Sequence, residues 1–284
     1  MNAFQRVATI ISYEWKRTLA RKRFIVFVII AFVVQILIFV IFNYLFTNPP
    51  PLMPAFFLEQ TKPMMWIVEA LAPQGLFMSL VAIMISGGSM SEEYEHGTAD
   101  ILLSKPIAKI EYMAGKYLGG VSILSFVVAL TTALGVILAT SFFSPQEHLH
   151  FVPHVYLAIV YSNLVFLSLA FMFSEVFRRT TLALLSAVGI FIASMVTSGV
   201  LSAVYAFTQE QLYLDASKWL PNWCASNLPD FVISELVAIS STPFVSVGQV
   251  ETVLAGALIA VYTIVFIAMA VIKLIKSDVT KKTD

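Results

Sequence analysis

Residues 91–116 read SEEYEHGTADILLSKPIAKIEYMAGK. This is the one sizeable polar segment between the first and last long apolar runs that is rich in both signs of charge. Glu92, Glu93, Glu95, Asp100 and Glu111 stand against Lys105, Lys109 and Lys116. Inside it lies a short helical signal: Thr98 is placed to cap, Asp100 falls in the first turn, where a helix favours an acid, and Ile101, Leu102 and Leu103 follow. Pro106 stops that helix, because it has no amide hydrogen and pushes the preceding residue out of the helical region. A second amphipathic turn starts near Ile107. A capped helix with an apolar face, held between two long apolar runs, suits a groove on a soluble partner.

On either side the chain turns apolar. Of its 284 residues, 59% are hydrophobic and 12% charged, against about 25% charged in a soluble domain. Such a chain lacks the polar surface to face water, so most of its exterior must face lipid. Six apolar runs are long enough for spans: 24–46, 73–90, 117–141, 153–177, 180–208 and 250–272. The expected fold is an all-α membrane protein with six transmembrane helices occupying 24–272.

Residues 1–23 predict an amphipathic helix. Phe4, Val7, Ile10, Ile11 and Trp15 recur at helical spacing, and Arg6, Lys16, Arg17, Arg21, Lys22 and Arg23 lie on or after the polar side. That pattern suits a helix in the membrane interface, the alternative being a merely solvated start. The apolar run that follows is too long for the core of a signal peptide, so a cleavable one is not expected.

Within the spans polar residues are sparse. Gln35 reads as an interhelical hydrogen bond. Residues 47–72 are broken by Pro49, Pro50, Pro51, Pro54 and Pro63, with a short interfacial helix expected over 64–71 around Trp66. Small residues Ser79, Ala82, Ser86 and Gly87, then Gly119, Ser122, Ala129 and Ala133, allow close helix approach. Ser186, Ser194, Ser198 and Ser202 fall at multiples of four residues. Either they pack helices, or they line a polar substrate path between two copies of the chain; the readings are compatible. Residues 209–249 form the longest connection, whose 230–240 piece is apolar but too short to cross, and so is expected to be re-entrant.

Orientation follows from charge. All but two of the 17 Lys and Arg, the exceptions being Lys62 and Lys218, fall in 1–23, 91–116, 178–179 and 273–284. By the positive-inside rule these segments, both termini included, are cytoplasmic. The formal net charge of zero argues against nucleic acid as a partner.

Catalytic motifs are missing. No phosphate loop, HExxH or GxSxG occurs; Gly115-Lys116 runs into Tyr117. Paired Glu92 and Glu93 are an incomplete constellation for an intramembrane hydrolase, with Gly97 where an arginine is needed. His148, His150 and His154 cluster beside Glu147, but a polar loop explains them better than a metal site, and no metal is assigned. Glu175 is placed to pair with Arg178 or Arg179. With so few ionisable groups in the spans, ion-driven transport has no obvious machinery.

The order Glu92, Glu93, Glu95, then Gly97-Thr98, Asp100, Leu102-Leu103, Lys105-Pro106 and Gly115-Lys116 resembles the first cytoplasmic loop of ABC-2 type transporter permeases. The six-span layout extends the resemblance over the chain. It implies an elbow helix at 1–23 and a coupling helix inserted into a separate ATP-binding cassette subunit. Glu92, Glu93, Gly97, Thr98, Asp100 and Lys105 would make its polar contacts and Leu102 and Leu103 its apolar knob. It further implies two ATP-binding subunits carrying ATP and Mg, a second permease copy or paralogue, and a place in the plasma membrane. Function would be export of an amphiphile such as a lipid, peptide or drug. A secondary carrier, a non-transporting accessory subunit and, further off, a hydrolase remain as alternatives.

Overall fold

The computed structural model describes residues 2–48, 61–99, 107–143, 145–237 and 252–276, with side chains at 235–237 left aside. Every regular element among these residues is helical, and six helical columns are long and apolar enough to cross a membrane. This is a multi-pass membrane fold.

Helix α1, Ala3–Ala20, ends at Arg21, whose extended backbone (φ −77°, ψ 111°) turns the chain directly into α2, Lys22–Thr47. The first span thus begins slightly before the expected Phe24. The second column is not the single helix expected over 73–90. It runs from a 3₁₀ turn at Lys62–Met64 through α3, Met65–Leu71, a π-helical stretch at Gln74–Met78, α4, Ser79–Ser86, and α5, Ser91–Glu95. Pro73 opens the π stretch, with the Met78 amide donating to its carbonyl at 3.0 Å. A break at Gly87-Gly88 separates α4 from α5.

A helix is expected over 64–71. The helix forms, but Trp66 is fully buried, and α3 packs chiefly on the third span. Its indole N–H donates to the Glu147 carbonyl at 2.8 Å, and the Gln146 amide donates to the Lys62 carbonyl at 3.0 Å. An indole can be buried among helices when its N–H finds such a partner.

That third span, α6, is Lys109–Phe142, starting eight residues before the expected Tyr117. Then come α7, Val152–Phe177, and α8, Thr180–Thr208, joined at Arg178, which takes a left-handed conformation (φ 52°). Helices α9, Gln211–Lys218, and α10, Pro221–Val237, follow, and α11, Thr252–Lys276, closes the set. The expected 230–240 piece is the second half of α10 as far as it is described; 238–251 lie outside the described residues, as do 277–284 of the basic tail.

Helix α7 is the axis. Its apolar window is 72% buried, against 17% for α8 and 22% for α2 and α11. It packs on α4, α6, α8, α10 and α11. Buried polar groups along it satisfy one another: Gln74 Nε2 donates to Ser162 Oγ (2.8 Å), Asn163 Nδ2 to Gln74 Oε1 (3.2 Å), and Ser79 Oγ to Asn163 Oδ1 (3.4 Å). Gln35 makes the expected interhelical bonds, donating to the carbonyls of Glu69 (3.1 Å) and Thr131 (2.9 Å).

The outer helices α2 and α8 carry rows of exposed aliphatics, among them Ile29, Val33, Leu37, Leu185, Val196 and Val200. In water such rows would be untenable; against lipid or another apolar helix they cost nothing.

Candidate functional site: the ion-paired joint at the basic end

The described parts of the basic segments come together at one end of the helices. There α1 lies along the start of α6, and the contact depends on two glycines. A Cβ at Gly115 would stand 2.8 Å from Ile10 Cβ, and one at Gly119 would stand 2.8 Å from Glu14 Cβ. Only residues without a side chain admit α1 this close. Trp15 reinforces the seam, its Nε1 donating to Ser122 Oγ at 2.8 Å and its ring meeting Phe126 edge-on at 5.3 Å.

This approach seals a cluster of charges. The Lys116 ammonium, wholly buried, donates to Glu14 (2.6 Å), to the Ser89 carbonyl (2.9 Å) and to Glu93. Arg17 spans the same two acids, at 2.9 Å to Glu14 and 3.0 Å to Glu93, and donates to the Ser89 carbonyl at 2.7 Å. Two acids thus face two bases, and both bases also donate to the Ser89 carbonyl, which is the kind of pairing that makes buried charges tolerable. One turn on, Arg21 holds Glu92 at 2.8 Å and donates to the carbonyls of Ile85 (3.0 Å) and Gly88 (2.9 Å). Burial pulls the Arg21 guanidinium below its ordinary value, with Arg17 adding to the effect and Glu92 opposing it.

The same polar layer ties in the later helices. Glu95 accepts the Thr180 amide and hydroxyl, both at 2.8 Å, and so caps the start of α8. Tyr94 Oη donates to Glu175, which also pairs with Arg178 at 3.5 Å as the sequence led us to expect. Ser174 Oγ accepts the Met90 and Ser91 amides, both at 2.9 Å. Segment 87–95 is therefore fastened to α1, α6, α7 and the start of α8.

The candidate contact residues are distributed unevenly. Glu92 is half-buried and engaged by Arg21, while Glu93 is buried and spent within the chain. Gly97 turns in the left-handed region (φ 69°), with no atom of the described residues within 4 Å of its missing side chain, and Thr98 Oγ1 donates to the Glu93 carbonyl at 3.3 Å. Asp100, Leu102, Leu103 and Lys105 lie outside the described residues.

Of the hydroxyl row on α8, Ser194 is buried and accepts the Asn222 amide at 2.9 Å, so it packs α8 on α10. Ser186 and Ser198 are half-buried and Ser202 exposed. At the far end, His148, His150 and His154 gather around the Phe151 ring, with centroids 6.0, 4.0 and 6.0 Å away. Among the described residues no group of three or more potential metal ligands assembles.

The profile described as ABC-2 family transporter protein matches residues 8–279. The chain belongs to that family. A search of curated proteins returns no match. This ABC-2 chain is thus a transporter permease, a transmembrane subunit of a kind that is generally non-catalytic and generally works with ATP-binding subunits.

Sequence reasoning missed Glu14, Arg17 and Lys116 as a unit. The signal was present: Glu14 is the sole acid in the basic segment 1–23 and sits one turn from Ile10 and Ile11, on the apolar face. An acid there has to find a cation.

Proposed function

We propose that this permease drives export of an amphiphile, its motion supplied by a separate ATP-binding subunit docked on residues 91–116. The joint end faces the cytoplasm, where the positive-inside rule puts it. In this reading Leu102 and Leu103 supply the apolar contact to that subunit, and Asp100, Lys105, Glu92 and Thr98 supply polar ones. Closure of two ATP-binding subunits carrying ATP and Mg would carry the knob with it, rocking the spans between inward and outward states. A second permease copy, or a paralogue, covers the aliphatic rows of α2 and α8 not taken by lipid, in the plasma membrane. Helix α1 serves as the elbow, and α10 as the re-entrant piece on the outer side.

The observation that carries this reading is the buried Glu14–Lys116–Glu93 junction. It welds both flanks of the 91–116 segment, α5 and the start of α6, to α1, so a push on that segment reaches the helices rather than dissipating in a loose loop. The test is co-purification of an ATP-binding subunit with the tagged permease. Leu102→Asp and Leu103→Asp together should abolish capture while the permease itself stays folded. Undiminished capture would defeat the proposal, as would ATP-independent transport driven by an ion gradient.

A further inference from the structure

Among the described residues, Glu14, Glu93 and Glu175 are buried carboxylates that each meet a cation. Glu69 on α3 is also fully buried, yet neither of its carboxyl oxygens has a hydrogen-bond partner. Of the other buried oxygens that share this condition, Gln35 Oε1 on α2 and Thr132 Oγ1 on α6 belong to elements packed on α3.

These atoms belong to one place. A Cβ at Gly135 would lie 3.0 Å from Gln35 Nε2 and 3.1 Å from Glu69 Cβ, so the two side chains converge over that glycine. Thr132 is three residues earlier on α6, on the same face. The Gln35 amide cannot be reversed to supply a donor to the site. Its NH₂ group already serves two carbonyls, those of Glu69 and Thr131, which can only accept. The unsatisfied set is therefore a carboxyl group and an amide oxygen whose side chains converge over Gly135, with the Thr132 hydroxyl about one turn away on α6.

Among the described residues no side-chain cation answers it. The elements packed on α3 are α2, α6, the 62–64 turn and the π stretch at 74–78. Lys22 and Arg23 lie at the far end of α2, and Lys109 and Lys116 at the far end of α6. Lys62 sits over the Phe46 ring at 5.5 Å, and Glu147 meets α3 through its backbone carbonyl. A bare carboxylate in such surroundings is strongly disfavoured.

An all-oxygen set excludes soft transition metals, and a single carboxylate falls short of what calcium or magnesium normally requires. One negative charge surrounded by neutral oxygens matches a monovalent alkali cation. We propose that Glu69, Gln35 and Thr132 hold one such ion, which pins α2, α3 and α6 together inside the membrane domain. The site is independent of the docking segment and stands whatever drives transport.

The test is equilibrium binding of radioactive sodium, and separately of rubidium as a potassium analogue, to the purified full-length permease in detergent. Ionic strength is held constant with N-methylglucamine. At least one ion should bind saturably and raise the melting temperature. Glu69→Gln, close to isosteric, should abolish both effects, Thr132→Val should weaken binding several-fold, and Glu210→Gln, at an exposed site, should change neither. Saturable binding by neither ion, or equal binding by wild type and Glu69→Gln, overturns the proposal. So does an infrared band of a protonated carboxylic acid that persists in saturating salt and vanishes in Glu69→Gln, since a proton would then fill the site. If Glu69→Gln does not fold, Thr132→Val and the wild-type infrared spectrum decide.

Discussion

The Lys116 ammonium and the Glu14 carboxylate, 102 residues apart in sequence, meet at 2.6 Å, with their side chains 0% and 2% exposed. Glu93 closes on the same ammonium from α5. Three elements that the chain makes at different times are thus joined through one nitrogen. Removing that nitrogen leaves two buried acids facing Arg17 alone. Lys116→Met should therefore cost about 3–5 kcal/mol of stability, read as a lower thermal midpoint in detergent. The double variant Glu14→Gln/Lys116→Met should lose less than the sum of the single changes, because it also removes a stranded charge.

The α1–α6 seam predicts a steric asymmetry between glycines. Gly119→Leu forces a side chain into Glu14 and should destabilise by about 1–3 kcal/mol or more, by overpacking. Gly189→Leu, on α8 with open space above it, should leave the midpoint unchanged. Thermal unfolding of the two variants side by side checks this, and equal losses would contradict the packing.

At the edge of the same seam, Arg6 pairs with Glu111 through two bonds of 2.9 Å, but with side chains 30% and 23% exposed. Solvent and salt screen a pair of this kind. Arg6→Gln should melt with the wild type at physiological salt, in contrast to Lys116→Met.

Asp230 on α10 gives a pH signature. Burial pushes its carboxyl up to about 6, from about 3.9 in an unfolded chain. Between these values the native state keeps a proton that the unfolded chain has released. Stability from this group is therefore full below the lower value and falls as pH rises through the window. Asp230→Asn should raise the melting temperature at pH 7.5 and make no difference near pH 4. A gain of equal size at both would exclude Asp230 as its source.

Span number and helix type were legible in the sequence because hydropathy sets them over windows of about twenty residues. Span five, Thr180–Thr208, fell where its apolar run lies. Gln35 was legible too, since an isolated amide in an apolar run has few options besides a neighbouring helix. The interrupted second column was harder to read. Its breaks depend on Pro73 and on Gly87-Gly88 within a run whose composition stays apolar throughout. The burial of Trp66 was not legible, because it depends on the Glu147 carbonyl, brought up by a distant loop. Glu69 was passed over because it follows a proline-rich connection that reads as a loop. Lys116 was taken as the end of a polar loop, while its burial depends on Gly115 and Gly119 admitting α1.

The most direct test of coupling through the 91–116 segment is labelling of Leu102→Cys with a membrane-impermeant maleimide. The background is low, since the one native cysteine, Cys224, is buried and burial pushes its thiol up to about 12. The account predicts labelling in inverted vesicles but not in intact cells, with protection once the ATP-binding subunit is bound. Labelling from outside the cell, or equal labelling with and without that subunit, would contradict it.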